Sequence, residues 1–343
     1  MITIYSEDHK RHHGKHEFSL GKLIPPFENP MRLDSILASL TKAKSTEIIT
    51  PREYGLDPIL RVHTEEFVNF LKSAYDDWHS IYGKIDALPT VWPTRLLRQV
   101  IPEDILGKLG YYSFDCVTPI TEGTWQAITS SVNVALTGVS LIGEGRRSAF
   151  SLCRPPGHHA STDVYGGFCF FNNAAITAQA FIDGGAKRVT ILDVDYHHGN
   201  GTQSIFYDRP DVQYVSLHAD PSQDYPYYLG HANETGNGEG EGFNSNFPMR
   251  WGTVWSHYKN ILNQALCNIR SFAPEILVLS LGVDTFENDP ISQFKLKTEN
   301  YIEMGKMIGQ LDLPTLFIME GGYAVDEIGL NVSNVLSGFE AVQ

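Results

Sequence analysis

The sequence predicts an α/β protein in which helices cover both faces of a central, mainly parallel β-sheet. Short apolar runs rich in β-branched residues alternate along the chain with segments whose apolar residues recur at helical spacing. Continuous apolar runs are typical of strands that are buried on both faces. A chain of 343 residues is long enough to form a substantial core. We therefore expect a three-layer α/β/α arrangement in one domain, residues 1–343.

Apolar periodicity and the flanking glycine, proline and polar residues predict the order of the elements. The predicted strands cover residues 2–5, 148–153, 189–194, 212–217, 276–281 and 315–319. The predicted helices cover residues 31–43, 67–82, 124–142, 173–182, 202–207, 254–271, 299–311 and 327–339. Because strands separated by helices pair in parallel, this alternation favours a parallel sheet with right-handed crossovers.

Composition and charge exclude several classes of protein. Acidic residues outnumber Lys and Arg by 40 to 26, for a formal charge of -14. Nucleic-acid binding requires clustered cations, so we expect no nucleic-acid partner, whereas a small cationic substrate suits this field. No apolar run is long enough to span a bilayer and no signal peptide is evident, so we expect a cytoplasmic protein without a membrane partner. The four cysteines lack CxxC spacing and are interpreted as reduced thiols.

Two polar or irregular segments interrupt the regular pattern. Residues 7–17 hold His9, His12, His13, His16 and Glu17 without apolar periodicity, and we interpret them as a mobile polar loop at the rim of a pocket. Residues 84–119 combine four prolines with several aromatic residues. We interpret this insertion as a surface that faces a partner, most simply a second copy of the chain. The alternative is an insertion folded back on its own domain.

Polar side chains follow four of the predicted strands. His158 and His159 follow the strand that ends at residue 153, Asp284 follows the strand that ends at residue 281, and Tyr323 follows the last strand. Alternation along the strand at 189–194 places Asp193, Asp195 and His197 in one row. Because ligands bind beyond the carboxyl ends of parallel strands, we expect these side chains to meet at one edge of the sheet.

Asp195, His197 and Asp284 form a candidate metal-binding set of oxygen and nitrogen donors. Carboxylates this close in a dry interior need a cation between them, and zinc, Fe2+ or Co2+ fits these donors. The adjacent imidazoles of His158 and His159 can serve as base and acid, and Tyr323 can donate a hydrogen bond to an oxyanion. Asp193 can orient a histidine or bind a monovalent cation. The set therefore predicts hydrolysis of an amide or ester by metal-activated water.

Long motifs in a fixed order cover nearly the whole chain. They are SEDHK, PPFE, SLCRPPGHHA, GGFCFFNNAA, ILDVDYHHGNGTQ, VSLHAD, SLGVDTFENDPIS and MEGGY. At these motifs the chain resembles the histone deacetylase superfamily, most closely the bacterial acetylpolyamine amidohydrolases, or polyamine deacetylases. The resemblance implies an arginase-like α/β/α fold and Zn2+ bound by Asp195, His197 and Asp284. It also implies that His159 is the general base, that His158 pairs with Asp193, and that Tyr323 polarises the acetyl carbonyl.

The resemblance further implies potassium and substrate sites. One K+ site would be formed by Asp193, Asp195, His197, Ser216 and Leu217, and a weaker second one by Phe206, Arg209, Val212 and Phe243. The substrate-binding residues implied are Glu17, Gly167, Phe168, Tyr225 and Ile291. The insertion resembles the segment through which polyamine deacetylases form homodimers and narrow the entrance to the site.

One part of the insertion departs from the family pattern. Members that bind the distal ammonium of a polyamine have glutamates where this chain has Leu106 and Val117; its acids are instead Glu103, Asp104 and Asp115.

We expect a deacetylase of acetylpolyamines or small acetylated diamines, and a deacetylase of acetyl-lysine in peptides is the alternative. A dimanganese ureohydrolase is disfavoured because Gly282, two residues before Asp284, cannot bind a metal. A non-catalytic binding protein is disfavoured because the base, the ligands and Tyr323 are all present.

Overall fold

Eight parallel strands form the central sheet of the computed structural model, which describes residues 1–19, 21–43 and 46–343. The described residues form these eight strands and two more outside the sheet: β1 (Ile2–Ile4), β2 (Glu17–Ser19), β3 (Lys22–Ile24), β4 (Glu47–Ile49), β5 (Ser148–Ser151), β6 (Val189–Asp193), β7 (Val212–Ala219), β8 (Asn244–Met249), β9 (Ile276–Leu281) and β10 (Thr315–Met319). The order in the sheet is β4-β1-β5-β10-β9-β6-β7-β8, and β2 and β3 form a separate antiparallel pair. Among the described residues every neighbouring pair in the large sheet is parallel.

Helices connect the strands of the sheet. They are α1 (Met31–Ala43), α2 (Asp57–Leu60), α3 (Glu65–Tyr82), α4 (Ile105–Tyr111), α5 (Thr124–Gly143), α6 (Asn173–Asp183), α7 (Asn200–Phe206), α8 (Trp255–Phe272), α9 (Asn300–Gly309) and α10 (Val325–Glu340). The Thr64 side chain accepts a hydrogen bond from the Phe67 amide, so α3 begins two residues earlier than predicted. Asn172 caps α6 in the same way through the Ala175 amide.

The sheet separates two hydrophobic cores. On β6, Ile191 packs with residues of α3, α5 and α6 on one face, whereas Leu192 packs with residues of α1, α8, α9 and α10 on the other. Adjacent residues of a strand point to opposite faces, so both faces of the sheet are buried under helices. The predicted three-layer α/β/α fold with a parallel sheet is confirmed.

The strands that the sequence pattern did not predict lie at the edges of the sheet or outside it. β4 and β8 are the two edge strands, and β2 and β3 form the small hairpin. β4 has only three residues, with Glu47 and Ile48 exposed, and β8 has the largely polar sequence NSNFPM. Edge strands contact the core on fewer sides, which leaves them without the continuous apolar run that identifies a central strand.

The interpretation of residues 7–17 as a mobile polar loop at the rim of a pocket is wrong for residues 7–12, whereas His13 and His16 are exposed outside any helix or strand and Gly14 and Glu17 line a small pocket. Residues Glu7–Arg11 form a 3-10 helix, and both His9 and His12 are buried. The His12 ring forms a 2.9 Å hydrogen bond with the Thr124 hydroxyl at the start of α5. Burial lowers the pKa of His9 to about 4 and that of His12 to about 3, so both imidazoles are neutral near pH 7. His12 therefore anchors the segment to α5, and His9 Nε2 lies 3.1 Å from the Tyr5 hydroxyl after β1.

The insertion at 84–119 has two parts. Its end is docked on the domain: it contains α4, and the Phe114 amide donates to the Tyr165 carbonyl. Its first part presents exposed apolar side chains to solvent, namely Ile85, Val91, Leu96, Leu97, Val100 and Ile101. Within the described ranges of the chain, no helix is long and apolar enough to cross a bilayer.

Candidate active site

Two neighbouring strands bring the predicted metal ligands together. Asp195 and His197 follow β6, Asp284 follows β9, and these strands are paired up to Asp193 and Ser280. The Nδ1 atom of His197 lies 3.3 Å from Asp195 Oδ1 and 3.1 Å from Asp284 Oδ2. All three side chains are buried, and their candidate ligand atoms lie within 4.8 Å of one another.

The electrostatics of these side chains fit a divalent cation. Burial, with the charge of Asp195, raises the pKa of Asp284 to about 7. Burial alone would lower the pKa of His197, but its hydrogen bonds to Asp195 and Asp284 raise it well above its usual value. In the protein alone, a proton on His197 balances the carboxylates, and a bound metal ion would take over that role.

Two glycines make room for the carboxylates. A Cβ atom at Gly282 would lie 2.0 Å from Asp195 Oδ2, and one at Gly321 would lie 2.6 Å from Asp195 Oδ2 and from Asp284 Oδ2. The Gly321 amide also donates to Asp195 Oδ2 at 2.7 Å. The absence of a side chain at Gly282 leaves this position without a donor for a second bridging metal.

The two adjacent histidines have opposite protonation preferences. His158 Nδ1 lies 3.1 Å from Asp193 Oδ2, and the charges of Asp195 and Asp193 overcome burial and raise the pKa of His158 to about 10. His159 Nδ1 instead lies 2.7 Å from Asn200 Oδ1. Burial and the positive charges of His158 and His197 lower the pKa of His159 well below its usual value. Asn200 was not predicted from the sequence, although it lies in the same ILDVDYHHGNGTQ motif as Asp195 and His197.

Asp289 and Arg32 both contact Tyr323. Asp289 Oδ2 accepts a 2.7 Å hydrogen bond from the Tyr323 amide, and the Arg32 guanidinium lies 4.7 Å from the centre of the phenol ring. Arg32 also donates to the Gly322 and Glu320 carbonyls. Burial raises the pKa of Tyr323 well above its usual value, so its hydroxyl keeps its proton as a donor. Neither Arg32 nor Asp289 was predicted, because neither lies at a strand end.

Glu320 connects the loop that carries Tyr323 to the turn that carries the histidines. Its Oε2 atom accepts from the amides of Gly157, at 2.7 Å, and His158, at 3.2 Å. Its Oε1 atom accepts from the Ser280 hydroxyl at 3.2 Å. The side chain is fully buried, and burial raises its pKa to about 7. The sequence analysis included this residue in the MEGGY motif but assigned it no role.

The residues predicted to bind potassium lie in two places. Asp193 of β6 is paired with Ser216 of β7, Leu217 follows on β7, and these residues adjoin Asp195 and His197. In the second set, Phe206 ends α7, Val212 begins β7, the Arg209 amide donates to the Phe206 carbonyl at 3.1 Å, and the Phe243 carbonyl accepts from the Tyr214 amide at 3.0 Å.

Four of the predicted substrate-binding residues lie near the histidines or Tyr323. A Cβ atom at Gly167, where φ is +57°, would lie 2.3 Å from His159 Cδ2. The Phe168 ring lies 5.6 Å from the Tyr323 ring, and the Tyr225 ring lies 5.1 Å from the His159 ring. Ile291 donates its amide to Asp289, the residue that also holds Tyr323.

Asp115 attaches the insertion to this wall. Its Oδ2 atom accepts from the Gly167 amide at 2.6 Å and from the Tyr225 hydroxyl at 2.7 Å, and its Oδ1 atom accepts from the Val117 amide. The sequence analysis named Asp115 only as one of the acids of the insertion. Its two partners lie 52 and 110 residues away, so no local pattern could indicate these contacts.

Glu17 is buried beside the same wall. Its Oε2 atom accepts from the Phe27 amide at 3.1 Å, and burial raises its pKa to about 7. Together with Val117 and Phe168 it lines one small pocket. The predicted substrate-binding residues Glu17 and Phe168 therefore lie beside Val117, the residue that departs from the family pattern.

Comparison with known proteins gives concordant similarities. The model of the family described as "Histone deacetylase domain" matches residues 26–339. Acetylpolyamine amidohydrolase 2 of Pseudomonas aeruginosa is 58% identical over 342 residues, which cover 100% of this chain and 99% of the relative. Acetylpolyamine amidohydrolase of Mycoplana ramosa is 50% identical over 338 residues, covering 98% and 99%. The crystal structure of acetylpolyamine aminohydrolase from Burkholderia pseudomallei has a TM-score of 0.94 at 38% identity, covering 100% and 99%.

Proposed function

The chain belongs to the histone deacetylase family and is a deacetylase that hydrolyses amide bonds, and from this premise we propose that it removes acetyl groups from acetylated polyamines or small diamines with zinc as its metal. The observation that carries the proposal is the convergence of Asp195, His197 and Asp284 beside two histidines of opposite pKa. Zinc bound there would supply a Lewis acid and lower the pKa of a water molecule.

His159 is the general base in this proposal. Its Nδ1–H donates to the Asn200 carbonyl oxygen at 2.7 Å, which leaves Nε2 unprotonated and able to accept a proton. The lowered pKa of His159 supports this role, because a base must be neutral before it accepts the proton of the attacking water. His158 is protonated at neutral pH and can give its proton to the leaving amine.

Tyr323 and the wall residues orient the substrate. The protonated phenol of Tyr323 donates to the acetyl oxygen as negative charge develops on it. Gly167, Phe168, Tyr225 and Ile291 enclose the acyl chain, and the half-buried aromatic rings exclude water from the reacting atoms. Potassium beside Asp193 and Ser216 would offset the negative charge of the carboxylates, and the second potassium set would stabilise the turn after α7.

A cationic substrate suits the acids of this region. Glu17 lies beside Phe168 in a pocket that also includes Val117, and its carboxylate can accept from the distal ammonium of a diamine. The similarity to relatives named acetylpolyamine amidohydrolases supports the same substrate class. The alternative, acetyl-lysine in peptides, is favoured by one observation only, namely the apolar Val117 in place of an acid.

We also propose that the insertion at 84–119 forms a homodimer interface and narrows the entrance. Six apolar side chains are exposed in its first part, and Leu96 is 89% exposed. A group of this kind on an insertion is typical of a surface that a partner covers. The docked end of the insertion places Phe114 against Tyr225, with ring centres 5.9 Å apart, so the same insertion also contributes to the proposed site wall.

The test is a comparison of kcat/KM across acetylputrescine, acetylcadaverine, acetylspermidine and an acetyl-lysine peptide. We expect the acetylated diamines and polyamines to be the better substrates. A clear preference for the peptide would contradict the proposed substrate class but leave deacetylation intact. Metal analysis of the purified protein tests the metal: one zinc per chain is expected, and two manganese ions per chain would support a ureohydrolase instead.

A further inference from the structure

We propose that His158, Cys169 and Glu320 form a second cation site, which binds a thiophilic divalent ion such as zinc in excess or cadmium and thereby inhibits the enzyme. The inhibition rests on the proposed function, because it depends on the role of His158 as proton donor. The binding itself does not, because it concerns only the three side chains and the ion.

Three separate parts of the chain contribute the candidate ligands. His158 lies in the turn after β5, Cys169 lies in the loop before α6, and Glu320 directly follows β10. Their imidazole nitrogen, thiol sulfur and carboxylate oxygen lie within 4.8 Å of one another. The relative exposures of the three residues are 3%, 0% and 0%. Imidazole, thiolate and carboxylate are the three ligand types that zinc binds in proteins.

Each ligand has an atom with spare coordinating capacity. His158 uses Nδ1 for its hydrogen bond to Asp193, so Nε2 is the nitrogen that would bind the ion once it loses its proton. Among the residues that the structure describes, Glu320 Oε1 accepts one hydrogen bond, at 3.2 Å from Ser280, and a carboxylate oxygen has two lone pairs. The Cys169 thiol donates to the Gly167 carbonyl at 3.2 Å, a weak bond that a metal ion would replace.

The sulfur ligand distinguishes this site from the neighbouring set of Asp195, His197 and Asp284. That set offers only oxygen and nitrogen, whereas thiolate sulfur favours soft ions. Cadmium therefore should prefer the site that contains Cys169. Burial raises the pKa of this thiol well above its usual value, and the thiol must lose its proton to bind a metal. We expect the second site to fill only after the first.

Occupation of this site would block the chemistry proposed above. His158 Nε2 lies 3.9 Å from Asp195 Oδ1, so the two sites adjoin. An ion on Nε2 would prevent that nitrogen from giving a proton to the leaving amine. The loop that holds Cys169 also includes Gly167 and Phe168 of the proposed acyl wall.

The test compares Cys169→Ser with Cys153→Ser, both in a Cys267→Ser background that removes the exposed thiol. Cys153 is a control for a buried thiol that is not one of the three candidate ligands: it is also buried near Glu320, but its thiol donates to the Ser131 carbonyl. Zinc-loaded protein is titrated with cadmium while the ultraviolet sulfur-to-cadmium charge-transfer band is recorded. In parallel, metal content is measured after equilibration with excess zinc, and deacetylation is measured at rising zinc concentration.

We expect the Cys153→Ser protein to show the cadmium band, a second bound metal per chain and inhibition by excess zinc. The Cys169→Ser protein should keep its basal activity and lack the band. It should also require at least about tenfold more zinc for the same inhibition, because removing even a supporting partner of a metal usually lowers metal affinity by that factor or more. A band of equal strength in both variants, or no band in the parent protein, would overturn the proposal. The parent measurement needs no substrate and no Cys169 variant, so the absence of the band there overturns the proposal even if the enzyme proves inactive on acetylated amines or the variant fails to fold.

Discussion

The pKa values of His158 and His159 differ because the charges of Asp195 and Asp193 act on His158, whereas burial and the positive charges of His158 and His197 act on His159, and the hydrogen-bond partners differ in the same sense. Asp193 places a charged oxygen on His158, whereas Asn200 places a neutral amide oxygen on His159. A carboxylate stabilises the imidazolium form, but an amide only selects the tautomer. At the same pH, His158 can therefore keep its proton while the adjacent His159 is neutral and able to accept one.

Asn200→Asp should move the acid limb of the pH profile of kcat/KM upward by about one pH unit or more. The new negative charge raises the pKa of His159, and a protonated base is inactive, so activity is lost near pH 6 and recovered at alkaline pH. The measurement is kcat/KM between about pH 6 and about pH 9. An unshifted acid limb would mean that His159 is not the base.

Tyr323→Phe should lower kcat by about 100- to 1000-fold, because the oxyanion loses its hydrogen-bond donor. The ring contact with Arg32 remains in this variant, so the protein should stay folded. Steady-state kinetics together with metal analysis check both expectations. Normal turnover with the metal retained would contradict the role proposed for the hydroxyl.

The raised pKa of Glu17 predicts that KM depends on pH. Its pKa of about 7 means that the carboxylate becomes ionised as the pH rises from about 6 to about 8, so KM for a cationic acetylated diamine should fall across this range. Glu17→Gln should abolish this trend and raise KM at about pH 8 by roughly tenfold, since a hydrogen bond to a charged group contributes about 1.5–3 kcal/mol. The exposed Glu66 of α3 offers a control: Glu66→Gln should leave the trend unchanged.

At the scale of elements, the loops that follow parallel strands are connected to one another by buried side chains. Glu320, after β10, binds the turn after β5 and the end of β9, and Asp289, in the segment after β9, binds the loop after β10. Arg32 of α1 adds bonds to two carbonyls of that last loop. The strands supply the positions of the loops, and these contacts set their mutual orientation.

Glu320→Ala should destabilise the protein by about 1–3 kcal/mol for each of the buried Gly157 and His158 amides that loses its acceptor. Glu320→Gln retains a carbonyl oxygen for these amides and an NH2 group for Ser280, so its loss should be smaller. Denaturant unfolding of the two variants in the absence of metal measures the difference. Equal stability of the alanine variant and the parent would show that these hydrogen bonds contribute nothing net.

At the scale of the whole molecule, the order of the strands determines which residues meet. β6 lies between β9 and β7 in the sheet, although about 80 residues separate β6 from β9 in the chain. Their carboxyl ends therefore bring Asp195 and His197 to Asp284. The insertion lies outside this arrangement and leaves its apolar side chains uncovered in the single chain.

A Leu96→Glu, Ile101→Glu double variant should be monomeric, because charged side chains oppose burial in an apolar interface. Light scattering coupled to size exclusion measures the mass of the variant and of the parent protein. Leu330→Glu is the matched control, because Leu330 is an exposed apolar residue of α10, far in sequence from the insertion, and this variant should keep the mass of the parent. A monomeric parent would contradict the proposed homodimer.

The sequence by itself determined the parallel α/β/α layering and the residues at the strand ends. Continuous apolar runs identify central strands, and the polar residues that follow them, such as Asp195 and Asp284, must lie at one edge of a parallel sheet. Only the tertiary structure decided the partners of those residues. Asn200, Arg32, Asp289 and Glu320 act on groups 34 to 290 residues away, and such contacts depend on how helices and loops pack rather than on any local periodicity.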